Sequence, residues 1–198
     1  MKNHISYSEL CSFEKDRGQY FREWVLGIRI PPTEAMMFGS LIHKGFETQG
    51  FDFELEAKEQ LFAENKIRIG KKILSYEFPL FYQPETEIIV DMPAGYRIKG
   101  ILDKVDPRIS FLEIKTSASF WTQQQVDENL QLTIYAYLFF RKYGNLPIEI
   151  ILIDFNSSNG KEKKFTTKRD ESDFEPMIER FDKAVSEIKS IGWWDLRK

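Results

Sequence analysis

Hydrophobic positions along the chain follow two different periods. In the first third they recur every three to four residues, the spacing of an amphipathic helix. Leu10 and Phe13 follow Ser6 or Ser8 as a helix cap, and Tyr20, Phe21, Trp24 and Val25 come next. Pro31 and Pro32 interrupt this pattern, because consecutive prolines cannot continue a helix. A second helix is expected from Thr33 or Glu34 to the region of Gly50, and a third over 53–69 with a stop at Gly70. The middle of the chain changes to alternation. Strands are expected over 74–82 (weakened by Pro79), 87–91, 96–105 and 110–116, with turns at 92–95 and 106–108. A long helix fits 122–143, where Leu130, Ile134, Tyr137, Leu138 and Arg141 recur at helical spacing and Gly144 supplies the end. A β-branched strand over 147–155, a return strand over 163–167 and a last helix over 172–190, with Pro176 in its first turn and Gly192 beyond it, complete the order. Helices, an antiparallel meander, a helix, strands and a helix predict a mixed α/β fold around a central sheet.

Composition sharpens this picture in three places. The 198 residues are 42% hydrophobic and 15% aromatic, enough for one core, so a single domain is expected over 1–198. Within it, 1–70 would be an N-terminal helical region and 71–198 the core. No apolar run approaches the roughly 18–20 residues that span a bilayer, and MKNHISYSEL carries no hydrophobic leader, so a cytoplasmic location is expected. Cys11 is the only cysteine, which excludes a disulfide or a cysteine-ligated cluster within one chain. A net charge of −3 gives no global attraction for nucleic acid, so any such role needs a local site.

The most informative stretch is Gly100-Ile-Leu-Asp103 followed by Leu112-Glu113-Ile114-Lys115. With a turn centred near Arg108, Asp103 and Glu113 stand opposite each other on paired strands, and Lys115 shares the face of Glu113. Like charges opposed on a sheet are destabilising, and the apolar flanks imply burial, which costs several kcal/mol per unpartnered ion. A divalent cation would offset this, since carboxylate oxygens are the hard ligands that Mg²⁺ and Mn²⁺ take. A structural cluster in which Lys115 alone balances the carboxylates fits the segment equally well. On a helix, Gly39, His43 and Glu47 fall on one face four residues apart. That spacing fits a ligand site, and it also fits an ordinary surface pair. Gln131 and Tyr135 share a face of the helix after the Glu-x-Lys strand, among residues that read as core.

Taken in order, Gly39–His43–Glu47, Gly100–Asp103, Glu113–Lys115 and Gln131–Tyr135 resemble the RecB-type branch of the PD-(D/E)xK nuclease superfamily, and the opening ISYSELCSFEKDRGQYF resembles its N-terminal helix. The resemblance implies a restriction-endonuclease-like core. It makes His43, Asp103, Glu113 and the Ile114 backbone carbonyl metal ligands for one or two Mg²⁺ or Mn²⁺ ions, and Lys115 the catalytic lysine beside Asp103 and Glu113. Gln131 and Tyr135 would position the site or the DNA, Glu47 would be accessory, and Glu77 has a looser counterpart. Many relatives hold an iron–sulfur cluster with four cysteines. With Cys11 alone this chain resembles the cluster-free members, some of them phage or mobile-element exonucleases, and its terminal packing must come from elsewhere, with Trp193 and Trp194 as candidates.

The function implied is a metal-dependent DNA exonuclease acting at single-stranded ends, in repair, recombination or phage and defence processing. A structure-specific endonuclease and a catalytically silent DNA-binding scaffold of a repair or defence complex are the alternatives. DNA is the implied partner, with further protein partners if the chain works in such a complex. Two basic runs, Lys66/Arg68/Lys71/Lys72 and Lys161/Lys163/Lys164/Lys168/Arg169, could bind phosphates or simply be solvated. Tyr7, Phe13, Tyr20 and Trp24 could stack on unpaired bases, although aromatics at helical spacing are more often core.

Overall fold

A computed structural model describes residues 3–48, 51–79 and 82–197. The chain opens with a short strand β1 (His4–Ser6), and Ser6 caps α1 (Tyr7–Lys15) by accepting the Glu9 amide proton. Helix α2 (Arg17–Tyr20) runs into a π-helical turn, Phe21–Val25. Three helices follow: α3 (Glu34–Glu47), α4 (Phe53–Glu59) and α5 (Glu64–Leu74). Thr33 caps α3, as the Pro-Pro-Thr break predicts. Gln49 and Gly50, where that helix was expected to end, lie outside the described residues.

Seven strands form two sheets among the described residues. In the first, β1 pairs parallel with β3 (Tyr96–Leu102), which pairs antiparallel with β2 (Thr86–Met92). In the second, β4 (Lys104–Asp106), β5 (Ser110–Ser117), β6 (Glu149–Asn156) and β7 (Glu162–Thr167) lie in that order. Strands β5 and β6 are parallel, joined through α6 (Gln123–Asp127) and α7 (Leu130–Tyr143), so the meander gives way to a helical crossover. Helix α8 (Phe174–Ser190) closes the fold.

The second sheet is covered on both faces. Phe111, Ile150 and Leu152 pack into one cluster with α7 and α8, while Leu112, Ile114, Ile151 and Ile153 pack into another with α3, α4 and α5. This explains why β6 is a continuous apolar run rather than an alternating one. The N-terminal helices therefore build one wall of the core. Near the C-terminus, Arg197 reaches back to Glu9 at 2.7 Å, both side chains fully buried, and its guanidinium lies 3.6 Å from the Trp194 ring centre. Trp193 packs on Tyr20 and Phe21. The ion pair ties the C-terminal segment to α1, Trp193 ties it to α2 and the π-helical turn, and Trp194 packs on Tyr96 of β3.

Four expectations need correction. No strand covers the described part of 74–82: Leu74 ends α5, and Tyr76 and Phe78 instead pack with Phe46 and Phe155. Helix 53–69 is two helices, broken where Leu61 takes φ 61°; Gly70 lies inside α5, where the Phe53 ring sits against it and leaves no room for a Cβ. The 122–143 helix is also two, because the Asn129 side chain caps a new start by accepting the Leu132 amide proton at 3.0 Å. Strand 96–105 is interrupted at Asp103, whose carboxylate faces inward.

Candidate active site

The break at Asp103 is where the two sheets meet, and its cause is local. Lys104 pairs with Leu112 in the β4–β5 ladder, and one step further Asp103 turns its carboxylate onto β5, where Oδ2 accepts the Ile114 amide proton at 2.7 Å. Its other oxygen, Oδ1, lies 3.1 Å from His43 Nδ1. His43 reaches it because Gly39, one turn earlier in α3, lets that helix lie on β5: a Cβ there would stand 3.1 Å from Thr116 Oγ1. Ligand atoms of His43, Glu47 and Asp103 all fall within 4.8 Å of one another.

Glu113 and Lys115 project from the same face of β5, two residues apart, and bond at 2.7 Å. Gln131, in the first turn of α7, sits across both. Its amide oxygen accepts from Lys115 Nζ at 2.8 Å, and its NH₂ donates to Glu113 Oε1 at 3.1 Å and to Tyr135 Oη at 2.9 Å. Helix α7 approaches this closely because Gly100 lacks a side chain; a Cβ would lie 2.5 Å from Leu138 Cδ1 and 3.0 Å from Tyr135 Cε1. The structure thus brings His43, Glu47, Asp103, Glu113, Lys115, Gln131 and Tyr135 into one place. Glu77 is exposed, in a surface pocket whose lining includes none of these side chains.

Glu113 is 2% exposed, and its Oε2 is buried without a hydrogen-bond partner. Burial pushes its carboxyl up to about 7 against the pull of Lys115, and the Asp103 charge adds to the rise. Burial also raises Glu47 to about 7, helped by its hydrogen bond to Glu85. Burial alone would lower His43, but the hydrogen bond and charge of Asp103, with the charge of Glu113, carry it above its ordinary value. Lys115 behaves likewise: burial opposes its charge, and Glu113, Asp103 and Asp154 more than restore it. Four carboxylates, Glu47, Asp103, Glu113 and Asp154, surround one lysine and one imidazole, and one buried carboxylate oxygen is left unbonded. Such a donor set fits a hard divalent cation, which would take up the unengaged oxygen and the surplus negative charge.

Asp154 is a buried member of this neighbourhood that sequence reasoning missed. It pairs with Lys115 in the β5–β6 register and accepts from Ser117 Oγ at 2.7 and 2.8 Å and from the Trp121 amide at 2.9 Å. Its signal was present: a lone Asp inside Ile150-Ile-Leu-Ile-Asp154-Phe is a charge in a strand buried on both faces.

The first basic run is engaged within the protein, as is Arg169 of the second. Lys66 and Lys72 donate to the carbonyls of Ser157 and Asn159, and Lys71 pairs with Glu54. Arg169 is buried and donates to Thr133, Thr167 and the carbonyls at the α6–α7 junction, so it is a structural residue rather than a phosphate ligand. Lys161, Lys163, Lys164 and Lys168 are exposed. Among the aromatics, Phe13 and Tyr20 are core, whereas Tyr7 and Trp24 are half-buried.

A Glu-x-Lys strand beside an inward-facing Asp, on a parallel β5–β6 pair walled by helices, is the arrangement of a metal-dependent nuclease. The family model of the PD-(D/E)XK nuclease superfamily matches residues 4–195, and the chain belongs to that superfamily. Two solved structures share its fold. An inferred exonuclease from Eubacterium rectale superposes with a TM-score of 0.68 at 12% identity, over 94% of this chain and 80% of that one. The protein SSO0001 superposes with a TM-score of 0.50 at 17% identity, over 94% and 77%. A search of curated proteins finds no match. Among the described residues, no helix is long and apolar enough to cross a membrane.

Proposed function

We propose that this nuclease is a Mg²⁺- or Mn²⁺-dependent deoxyribonuclease of the RecB-type branch, an exonuclease working on single-stranded ends, with residues 1–198 as one nuclease domain. The observation that carries the reading is the pairing of His43 with Asp103 beside Glu113, a buried carboxylate with an unengaged oxygen. His43, Asp103, Glu113 and the Ile114 carbonyl would hold the cation, with Glu47 close enough to assist. A bound divalent cation supplies acidity to a water and shields charge on the phosphoryl oxygens.

Lys115 is the catalytic residue that the chain itself contributes. Its ammonium lies beside Glu113 and carries only donors, so it orients a water or stabilises charge developing on the phosphate. Gln131 holds Lys115 and Glu113 in register and is itself oriented by Tyr135. Burial, followed by the Glu113 charge, raises the Tyr135 phenol, so it stays a neutral hydrogen-bonding group at working pH. Asp103 anchors both the imidazole of His43 and the backbone of β5.

The test is cleavage of end-labelled linear and circular single-stranded DNA with Mg²⁺, Mn²⁺ or EDTA. The reading predicts shortening of linear strands from an end, sparing of circles, and no product in EDTA. Cutting of circles would move the assignment to an endonuclease. Metal-independent DNA binding without cleavage would favour the scaffold.

A further inference from the structure

Beside the site lies a cavity of about 290 Å³ lined by Tyr7, Trp24, Lys99, Gly100, Gln131 and Tyr135. Two of these, Gln131 and Tyr135, are the residues that hold Glu113 and Lys115. A second cavity of about 420 Å³ lies next to it, lined by Glu23, Arg29, Ile30, Pro32, Met36 and again Trp24. Trp24 therefore borders both hollows, one of which is also lined by the two residues that hold Glu113 and Lys115. The outer hollow is bordered by apolar side chains that a folded core would cover: Ile30 is 54% and Met36 62% exposed.

We infer that these two cavities form one groove for the unpaired bases of the DNA strand being cut, with Trp24 as a stacking platform and Arg29 at its outer end; this rests on the function proposed above. Every base has a π-face, so an aromatic wall with apolar borders binds single strands irrespective of sequence, and an arginine adds cation–π attraction. In a duplex both faces of an internal base are already stacked, so this surface selects for separated strands. The chemistry also explains why the groove is not strongly basic. Lys99 is ion-paired with Glu87, and the outer hollow is lined by an acidic Glu23 as well as Arg29, so contact with bases rather than phosphates dominates here. Continuity with Gln131 and Tyr135 distinguishes this occupant from an apolar peptide, which would have no reason to end at the cleavage residues.

The experiment compares binding of two fluorescent oligomers of about twenty residues, longer than a typical single-strand binding site, with Ca²⁺ in place of Mg²⁺. One is oligothymidylate and the other carries the same phosphates on abasic sugars. The wild type should prefer the base-bearing oligomer by about 5- to 150-fold, the range of a base–aromatic stack. Trp24→Ala should bring this preference close to one, while Trp24→Phe should keep most of it. Because Trp24 also packs against core residues, Met36→Glu is the second variant. It alters an exposed side chain and should weaken oligothymidylate binding several-fold. Full base preference in Trp24→Ala, or unchanged binding by Met36→Glu, would overturn the groove. Cleavage by the same preparations in Mn²⁺ separates the two ideas. A wild type that shows the base preference but never cleaves contradicts the nuclease reading and leaves the groove standing. A wild type that cleaves, with Trp24→Ala keeping the preference, contradicts the groove alone.

Discussion

Glu113→Gln should stabilise the metal-free protein at pH 8 and lose that advantage at pH 5. The Glu113 carboxyl sits at about 7 rather than its ordinary 4.5 because it is buried. For an acid raised in this way, the folded state binds more protons than the unfolded state between 4.5 and 7. Stability therefore falls as pH rises through that window, and the full penalty is present above it. At about 1.4 kcal/mol per pH unit, the ceiling is about 3 kcal/mol. A glutamine keeps the shape and the acceptor for Lys115, but its NH₂ would occupy the place of the unbonded Oε2, at a cost of about 1–2 kcal/mol. The net gain at pH 8 is about 1–2 kcal/mol, or about 2–8 °C in Tm for a chain of this size. The assay is thermal unfolding in EDTA at the two pH values, read as the difference between variant and wild type, which removes the contributions of Glu47 and other groups. Added Mn²⁺ should reverse the order, since a ligand of the native state stabilises the wild type by mass action. A Glu113→Gln protein less stable than wild type at pH 8 in EDTA, or a difference that does not change with pH, would refute the reasoning.

Four further substitutions probe the packing, the buried ion pair and the cation site. Gly100→Ala places a Cβ against Leu138 and Tyr135; it should cost about 1–3 kcal/mol in denaturant unfolding, and activity should fall with the displaced Gln131–Tyr135 pair. Arg197→Met removes the ion partner of Glu9 in a site with no exposure and should cost about 3–5 kcal/mol, measurable as a lowered urea midpoint with unchanged slope. Asp103→Asn should abolish Mn²⁺ binding in calorimetry, whereas His43→Ala should only weaken it, because a neutral imidazole contributes no charge attraction.

The legible part of the site is the part set by short-range spacing. An offset of two from Glu113 to Lys115, and of four from His43 to Glu47 or from Gln131 to Tyr135, fixes a shared face once the element type is known. The turn near Arg108 set the Asp103–Glu113 register in the same way. Opposed carboxylates also imply that neutralising one of them would relieve repulsion in the metal-free protein, but spacing does not say which one. In the structure both Asp103 oxygens are engaged, by His43 and Ile114, so the relief falls to Glu113. That balance depends on which oxygen meets which partner, and no spacing rule contains it. Element boundaries failed for a similar reason. Gly70 reads as a stop until the Phe53 ring against it is known, and Asn129 reads as helix interior until its side chain is seen to cap α7. Asp154 was hidden by its own strand, since the apolar run around it says only that it is buried.

The central claim is that one site both captures the cation and cleaves DNA, with separate residues for the two tasks. Mn²⁺ titration calorimetry and cleavage of end-labelled single strands, on wild type and Lys115→Ala side by side, test it most directly. An ammonium cannot ligate a cation while protonated, and Lys115 stays protonated beside Glu113. Lys115→Ala should therefore bind Mn²⁺ as tightly as the wild type or more so, and release no product. Robust cleavage by Lys115→Ala, or loss of its Mn²⁺ binding together with its activity, would contradict the account.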